Sequence, residues 1–247
     1  MRSRQLAGLK FHWFTKAISE GQMYSSLEGS TSEAMSGEFD IWGVPYFRGM
    51  NLPILLLAAG ASSRMGRSKQ MLVVDGEPLL VRSVRAALET GSPVFVVLGA
   101  KAEEHKSLLT DFPVRLVHHP SWERGMGSSL KEGLKAILAE GPGVTGVVVM
   151  LCDQPRVNSE HLRTLMNRAG NSPKTIIASA YHQTIGVPAL FKSALFPQLL
   201  ALGDEAGAAK LIRSQPDRVE AVDFPEGVID LDTPDDVARY EGSHGPK

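Results

Sequence analysis

The stretch from residue 60 to residue 69 combines small residues with cations, a combination that suits the binding of phosphate. Gly60 and Gly66 permit tight turns, and the small side chains between them let backbone N–H groups approach an anion. The apolar run that precedes it, residues 54–59, is too short for a helix and predicts a buried strand. We therefore predict a phosphate-binding loop at the end of a strand, called here the phosphate loop (residues 60–69). Its cations are Arg64, Arg67 and Lys69.

The spacing within the phosphate loop differs from that of two common nucleotide-binding motifs. A P-loop has four residues between its glycines, followed by Lys and then Ser or Thr. Here five residues separate Gly60 from Gly66, and Arg67 follows. The dinucleotide fingerprint G-x-G-x-x-G is also absent, because Ala61 and Ser62 come directly after Gly60. The sequence thus disfavours a P-loop NTPase and a nicotinamide-dependent oxidoreductase.

Carboxylates at two places could hold a metal ion. Asp153 follows the most apolar predicted strand, residues 146–151, and an unpaired buried charge at that position is costly. A Mg²⁺ ion held by one or two carboxylates and by phosphate oxygens would remove this cost, although Asp153 could instead cap a turn. Asp232 is the candidate for a second ligand, with Asp230 as the other, since both lie on one side of an extended segment. Helix capping by Asp232 or Thr233 is the alternative.

A second glycine-containing stretch, called here the glycine loop (residues 125–129), precedes a predicted helix. Backbone N–H groups at the start of a helix point outward and can bind anions. The glycine loop follows the third predicted strand, the phosphate loop follows the first, and Asp153 follows the fourth. Because open α/β sheets bind ligands at the carboxyl ends of their strands, we expect all three features to line one cavity.

The elements that must position these residues alternate between strands and helices, which predicts a mostly parallel sheet with helices on both faces. We predict one domain over residues 50–242. Ser128 or Ser129 is predicted to cap the third predicted helix, and Asn158 or Ser159 the next. Strands are predicted at residues 54–59, 94–98, 114–117, 146–151, 174–180, 187–191 and 219–222; helices are predicted at residues 78–89, 102–109, 127–139, 159–168, 192–200 and 206–213, with a last one after Thr233.

Composition narrows the class of protein. The 247 residues include 26 basic and 27 acidic ones, so neither nucleic acid nor a membrane surface is an expected partner. No apolar run approaches the roughly 20 residues that cross a bilayer. Cys152 is the one cysteine, which excludes an intrachain disulfide and favours a reducing, cytoplasmic location. Residues 1–49 lack any sustained hydrophobic period, and we expect them to be a dispensable extension, disordered or upstream of the true start.

The motifs together resemble those of a known enzyme superfamily. The pattern Leu57-Ala58-Ala59-Gly60-x-Ser62-x-Arg64-Met65-Gly66-x-x-Lys69 is similar to the signature loop of nucleotidyltransferases that load a nucleoside monophosphate onto a phosphorylated acceptor. Within that superfamily, residues 51–240 resemble the molybdenum cofactor cytidylyltransferase-like branch of the MobA-like NTP transferases. Asp-Gln-Pro at 153–155, Asp-x-Asp-Thr-Pro at 230–234 and Gly-Met-x-Ser-Ser at 125–129 match further motifs of that branch.

The resemblance implies a fold and a role for each motif. The fold would be a three-layer α/β/α, Rossmann-like domain with a mostly parallel mixed sheet, of the nucleotide-diphospho-sugar transferase type. Arg64, Lys69 and Asp153 would be catalytic, and Asp153 and Asp232 would bind Mg²⁺. The nucleotide would be bound by Leu57, Ala58, Ala59, Gly60, Ala61, Ser62, Gly127, Ser128 and Ser129.

The resemblance also favours particular substrates. Leu57-Ala58-Ala59-Gly60 follows the cytidylyl branch, whereas the guanylyl branch carries Leu-Ala-Gly-Gly; the implied reaction moves CMP from CTP onto molybdopterin and releases pyrophosphate. A related transferase with another triphosphate and acceptor is the first alternative. The second is a low-turnover maturation partner that binds a molybdenum hydroxylase.

Three positions depart from the family pattern. His119 stands where Asn is common, and Val187 stands where many cytidylyltransferases have His. The segment at 203–208 contains one residue more than the family's Gly-Asp-x-Gly-Ala, and we expect it, like residues 186–191, on the acceptor side. His118 and His119 are not predicted to bind a metal together, because adjacent side chains of a strand point apart.

Overall fold

The computed structural model describes residues 50–62, 65–231 and 233–242. The predicted extension at residues 1–49 lies outside this range, as do two of the predicted site residues, Arg64 and Asp232. No helix in the described part of the chain combines the length and the apolar composition that crossing a bilayer demands.

Seven strands of the described chain form one sheet in the order β5-β4-β1-β6-β8-β7-β9, and β2 and β3 form a separate small hairpin. All neighbours in the large sheet are parallel except β8, which runs antiparallel to β6 and β7. The strands are β1 (Ile54–Ala58), β2 (Val73–Val74), β3 (Glu77–Pro78), β4 (Val94–Leu98), β5 (Arg115–His118), β6 (Gly146–Leu151), β7 (Ile176–Tyr181), β8 (Thr184–Lys192) and β9 (Val219–Asp223).

Helices cover both faces of this sheet, as the alternating pattern predicted. The helices are α1 (Leu79–Leu88), α2 (Ala102–Ser107), α3 (Met126–Ala139), α4 (Ser159–Asn171), α5 (Phe196–Leu200), α6 (Ala208–Ser214) and α7 (Pro234–Gly242). Single 3₁₀ turns lie at Lys69–Met71, Trp122–Arg124, Ser193–Leu195, Pro216–Arg218 and Pro225–Val228. The predicted fold class, a mostly parallel mixed sheet between two helical layers, is confirmed.

Two apolar cores hold the layers together. Alternate residues of β1 point to opposite faces: Leu56 packs with α1 and α4, and Leu55 packs with α3 and α6. All five residues of β1 are buried, so this strand lies at the centre of both cores. Burial of each such leucine stabilises the fold by about 1.5–3 kcal/mol. The cores thus fix the strand from whose end the phosphate loop departs.

A buried histidine on α4 makes the stability of the fold depend on pH. His161 Nε2 lies 2.7 Å from Ser179 Oγ, and the His161 ring stacks on Phe224 with centroids 4.0 Å apart. Ser179 Oγ donates to the carbonyl oxygen of Pro188 at 2.6 Å, so the imidazole must donate its own N–H to Ser179. Burial lowers the pKa of His161 from 6.5 to about 4.

We expect His161 to reduce the free energy of unfolding as the pH falls from 6.5 to about 4. In that window the unfolded chain binds a proton that the folded chain excludes, and the loss amounts to about 3 kcal/mol at pH 4 relative to pH 7. The His161→Gln variant keeps a donor but does not titrate, so its loss over the same window should be smaller by that amount. Urea unfolding of both proteins at pH 7, 5.5 and 4 measures this; parallel pH profiles would contradict it.

Candidate active site

One cavity of about 540 Å³ lies where the loops after β1, β5 and β6 meet, as the strand ends predicted. It brings together parts of the phosphate loop and of the glycine loop with residues 151–153 at the end of β6. Eight of the predicted site residues line it: Leu57, Ala58, Ala59, Gly60, Ser62, Lys69, Ser129 and Asp153. The lining residues are Leu57, Ala58, Ala59, Gly60, Ser62, Lys69, Gln70, Trp122, Glu123, Gly125, Met126, Ser129, Leu151, Cys152, Asp153 and Asp230.

The phosphate loop is held in a tight conformation by its own hydrogen bonds. Ser62 has a left-handed backbone with φ of 57°, and the N–H of Met65 donates to the carbonyl oxygen of Ser62 at 3.0 Å. The N–H of Lys69 donates to Ser62 Oγ at 3.0 Å, which closes the loop back on its first turn. Left-handed residues in such turns help to form concave anion-binding sites. Ala61 belongs to this loop but is exposed and does not line the cavity.

Lys69 and Asp153 meet across the cavity. Lys69 Nζ lies 3.3 Å from Asp153 Oδ2, and the two side chains are 15% and 21% exposed. The other carboxylate oxygen, Asp153 Oδ1, is buried and has no hydrogen-bond partner among the described residues. The N–H of Leu231 donates to the Asp153 carbonyl oxygen at 3.0 Å, which ties the late aspartate segment to this strand end.

The donor set beside Asp153 suits a hard divalent cation that also binds phosphate. A buried carboxylate oxygen without a partner is costly, and Mg²⁺ binds such oxygens. Asp230 also lines the cavity and is exposed to it, whereas Asp232 is not described. Within the described ranges no three His, Cys, Asp or Glu side chains group as a metal cage. Mg²⁺ commonly takes one or two carboxylates together with phosphate oxygens of its substrate.

Thr233 has the capping role that the sequence offered as an alternative. Its N–H and its hydroxyl both donate to Asp236 Oδ2, at 2.8 Å and 2.7 Å, and the N–H of Asp236 donates back to Thr233 Oγ1 at 3.3 Å. This reciprocal pair is a capping box at the start of α7. It orients the segment that carries Asp230.

The glycine loop opens α3 without a side-chain cap, so the prediction that Ser128 or Ser129 caps the helix was wrong. The cap residue is Gly125, whose φ of 120° favours glycine, and the helix begins at Met126. Both serines lie inside the first turns and are buried. Ser129 lines the cavity, whereas Gly127 and Ser128 lie behind the lining.

His119 supports the glycine loop from behind and was given no role by the sequence. Its Nε2 lies 2.9 Å from Ser128 Oγ, which donates its proton to the carbonyl oxygen of Gly125 at 2.7 Å. The imidazole must therefore donate to the serine. Burial lowers the pKa of His119, which favours this neutral form. The sequence signal that could have revealed this role was that His119 stands where the family commonly has Asn, another side chain that can donate an N–H.

Asp204 fastens a second loop onto the glycine loop. Its carboxylate accepts from Arg124 Nε at 2.9 Å and from Lys131 Nζ at 2.5 Å, and these hydrogen bonds lower its pKa. Its carbonyl oxygen accepts from the N–H of Ser128 at 3.2 Å. The segment at 203–208 therefore packs against the glycine loop, and its expected place on the acceptor side stays a prediction.

Comparison with known protein families shows which family the chain belongs to. The family model of the MobA-like NTP transferase domain matches residues 54–219. The chain belongs to this family. It is thus a nucleotidyltransferase, which is the class of enzyme that the resemblance of the phosphate loop and of the Asp153 motif implied.

Several relatives of this MobA-like NTP transferase carry more specific names. It is 32% identical to the purine catabolism protein PucB of Bacillus subtilis, over 76% of this chain and 96% of that protein. It is 24% identical to the molybdenum cofactor cytidylyltransferase of Escherichia coli, over 74% and 91%. It is 25% identical to a Nostoc protein named "Probable molybdenum cofactor guanylyltransferase", over 78% and 91%.

The fold is also similar to that of Rv0371c from Mycobacterium tuberculosis. That crystal structure is 27% identical to the chain, covers 78% of it and 97% of itself, and superimposes with a TM-score of 0.67. A structure of Rv0371c in complex with manganese is 25% identical, with coverage of 78% and 100% and a TM-score of 0.63.

Cys152 lines the cavity of this MobA-like transferase, but its thiol is buried. Burial, and next the charge of Asp153, raises the pKa of the Cys152 thiol to about 12. A thiol with such a pKa carries almost no thiolate at neutral pH. A covalent cysteine mechanism is thereby disfavoured.

The segment at 186–191, which was expected near the acceptor, is tied to the Asp-Gln-Pro motif. Gln154 Nε2 donates to the carbonyl oxygen of Val187 at 3.2 Å, and Tyr181 Oη donates to the same oxygen at 3.3 Å. Val187 is itself buried. The acceptor role of this segment stays a prediction.

Replacement of Gly127 with alanine should destabilise the transferase, because the added Cβ would lie 2.6 Å from the carbonyl oxygen of Ala206 and closer still to that of Gly203. Both obstacles are backbone, so the loop of Asp204 must move; overpacking of this kind costs about 1–3 kcal/mol. Gly203→Ala is the matched control, since its Cβ would meet nothing within 4 Å. Chemical denaturation of both variants tests this, and equal stability of the two would contradict it.

Proposed function

We propose that this MobA-like transferase moves CMP from CTP onto a phosphorylated acceptor, with molybdopterin as the favoured acceptor and Mg²⁺ as the required ion. The observation that carries the proposal is the meeting of Lys69 and Asp153, at 3.3 Å, in a cavity that the phosphate loop also lines. A cation and a carboxylate side by side suit a ligand that is itself both anionic and metal-bound.

In the proposed reaction an acceptor phosphate oxygen attacks the α-phosphorus of CTP. The new P–O bond forms as the bond between the α-phosphorus and the bridging oxygen breaks, and the electron pair leaves with pyrophosphate. Backbone N–H groups of Gly60, Ala61 and Ser62 would hold the β- and γ-phosphates. Lys69, and Arg64 as predicted from the family pattern, would balance the charge on the leaving group. Glycine-loop residues Gly127, Ser128 and Ser129 would fix the nucleoside.

The chain's own residues fit a bound Mg²⁺. Asp153 would hold it through the buried Oδ1, and Asp230 or Asp232 would supply the second carboxylate. When bound, the ion would neutralise phosphate charge and make phosphorus more electrophilic. The manganese complex of Rv0371c supports a divalent ion in this family.

The choice of CTP is supported by Leu57-Ala58-Ala59-Gly60, which follows the cytidylyl pattern. Relatives named for both bases have nearly the same identity to this chain, 24% and 25%, so overall similarity does not separate CTP from GTP. PucB, at 32% identity, is named for purine catabolism and gives weak support to a maturation partner of a molybdenum hydroxylase. A cytoplasmic location remains a prediction from the single cysteine.

A nucleotide panel tests the proposal. The protein is incubated with Mg²⁺, molybdopterin and one of CTP, GTP, ATP or UTP, and released pyrophosphate is measured. We expect release with CTP at least about tenfold faster than with the others, because a site that hydrogen-bonds one base leaves its polar groups unpaired with another. Release with a different nucleotide supports the related transferase. No release with any, together with binding to a molybdenum hydroxylase, supports the maturation partner.

A further inference from the structure

Ser68 and Gln70, the two neighbours of Lys69, are both buried, and Gln70 also contributes to the lining of the cavity. Ser68 is 7% exposed and Gln70 is 3% exposed, whereas Lys69 is half-buried and reaches Asp153. Polar groups buried to this degree are hydrogen-bonded in native proteins, so their partners show what holds the lysine in place.

The side chain of Gln70 is fully used in holding the phosphate loop. Its Nε2 donates to the carbonyl oxygens of Ala58 and Gly60, at 3.0 Å and 2.9 Å. Its Oε1 accepts from Ser62 Oγ at 3.2 Å and from Ser68 Oγ at 2.8 Å. Two donors and two lone pairs are the whole capacity of an amide, so its orientation is determined. Gln70 thereby joins the start of the loop to its end.

His105, on α2, holds the far end of this network. It is 1% exposed, and its Nε2 lies 2.7 Å from Ser68 Oγ. Since the single proton of Ser68 goes to Gln70, the imidazole must donate to the serine. Its Nδ1 is buried without a partner among the described residues, as expected of a neutral ring with its proton on Nε2. Burial also lowers the pKa of His105.

We infer that His105 is a positioning residue of the nucleotide site, which holds Lys69 in place through Ser68 and Gln70. The inference rests on the proposed function for its effect on catalysis. His105 does not line the cavity, but four residues that its network holds do: Ala58, Gly60, Ser62 and Gln70. Loss of the imidazole leaves Ser68 without its donor and releases one end of the segment that carries Lys69.

The test compares His105→Leu with His105→Gln, which keeps an N–H donor at a similar reach. His161→Leu is the matched control, because His161 is also buried and lies 2.7 Å from a serine hydroxyl, Ser179, outside the cavity. The first readout is steady-state kinetics with CTP, Mg²⁺ and molybdopterin as the acceptor. We expect His105→Leu to raise KM for CTP about tenfold, the equivalent of one buried hydrogen bond, and His105→Gln to stay within about threefold of wild type. His161→Leu should leave this KM unchanged.

The second readout is amide hydrogen exchange of the nucleotide-free protein. His105→Leu should speed exchange in peptides covering residues 65–71 by about tenfold, with no such change in His161→Leu. Should His105→Leu not fold, Ser68→Ala breaks the same link with a smaller change and should raise exchange in the same peptides.

The two readouts separate the inference from the proposed function. If wild-type protein neither turns over nor binds CTP, the proposed function fails, and exchange alone decides the inference. Equal effects of His105→Leu and His161→Leu on residues 65–71 would overturn it, as would failure of His105→Gln to restore slow exchange in a folded protein.

Discussion

The Asp153→Ala variant should lower kcat about 10²–10³-fold and leave the fold intact. Asp153 Oδ1 is a buried carboxylate oxygen without a described partner, and Oδ2 lies beside Lys69. If this carboxylate holds a cation against the α-phosphate, its removal costs one preorganised electrostatic contact, about 3–4 kcal/mol in the transition state. Pyrophosphate release at saturating CTP, Mg²⁺ and molybdopterin measures kcat.

Asp153→Asn separates charge from shape at this position. The amide keeps the size of the side chain but loses the negative charge, so we expect its kcat to fall nearly as far as that of the alanine variant. Asp217→Asn is a matched control, because Asp217 lies in the turn before β9, at the opposite end of the sheet from the cavity. Near-wild-type turnover of Asp153→Asn would show that the negative charge is not needed and would contradict this prediction.

Replacement of Lys69 with methionine should also lower kcat about 10²–10³-fold, because the charge on the departing pyrophosphate loses its nearest described cation. The same variant should bind a divalent ion more tightly when no nucleotide is present. Lys69 Nζ lies 3.3 Å from Asp153 Oδ2 and competes with a metal for that carboxylate. A partly exposed ion pair contributes up to about 1 kcal/mol, so manganese affinity should rise about fivefold.

Opposite effects on catalysis and on metal affinity make this prediction specific. Titration of Mn²⁺ by electron paramagnetic resonance, without nucleotide, measures the affinity of wild type and Lys69→Met. Lys192→Met is the control, since Lys192 is half-buried and donates to a backbone oxygen, that of Ser172, away from the cavity. Weaker manganese binding in Lys69→Met would show that the lysine does not compete for Asp153, and a normal kcat would exclude it from the reaction.

Local patterns predicted the fold well because each reports the environment of its own segment. The strands at 94–98 and 146–151 were predicted with the bounds that the structure has, since short apolar runs between turn residues are typical of buried parallel strands. The predicted cap of α3 was wrong because serine is a common cap residue, and the local pattern alone favours it. In the structure the cap position is held by a glycine, Gly125, with a φ of 120°.

The candidate site was predicted in part. The rule that ligands bind at the carboxyl ends of the strands predicted one cavity for the phosphate loop, the glycine loop and Asp153. In the structure, residues of both loops and Asp153 line one cavity. Strand ends did not reveal His105, which belongs to no motif, or the role of His119, because each histidine acts through a serine hydroxyl on another element. Roles for Arg64 and Asp232 stay predictions, as both lie outside the described residues.

The α/β class and the loop that suits phosphate could be predicted from the amino-acid sequence, because hydrophobic period and motif spacing are properties of contiguous residues. The transferase family was indicated by the resemblance of the motifs. Which distant side chains meet became known from the folded chain. Lys69 and Asp153 are 84 residues apart and Ser68 and His105 are 37 apart, yet both pairs are in contact. Such contacts depend on how crossover helices pack on the sheet, and the spacing of residues along the chain does not encode that packing directly.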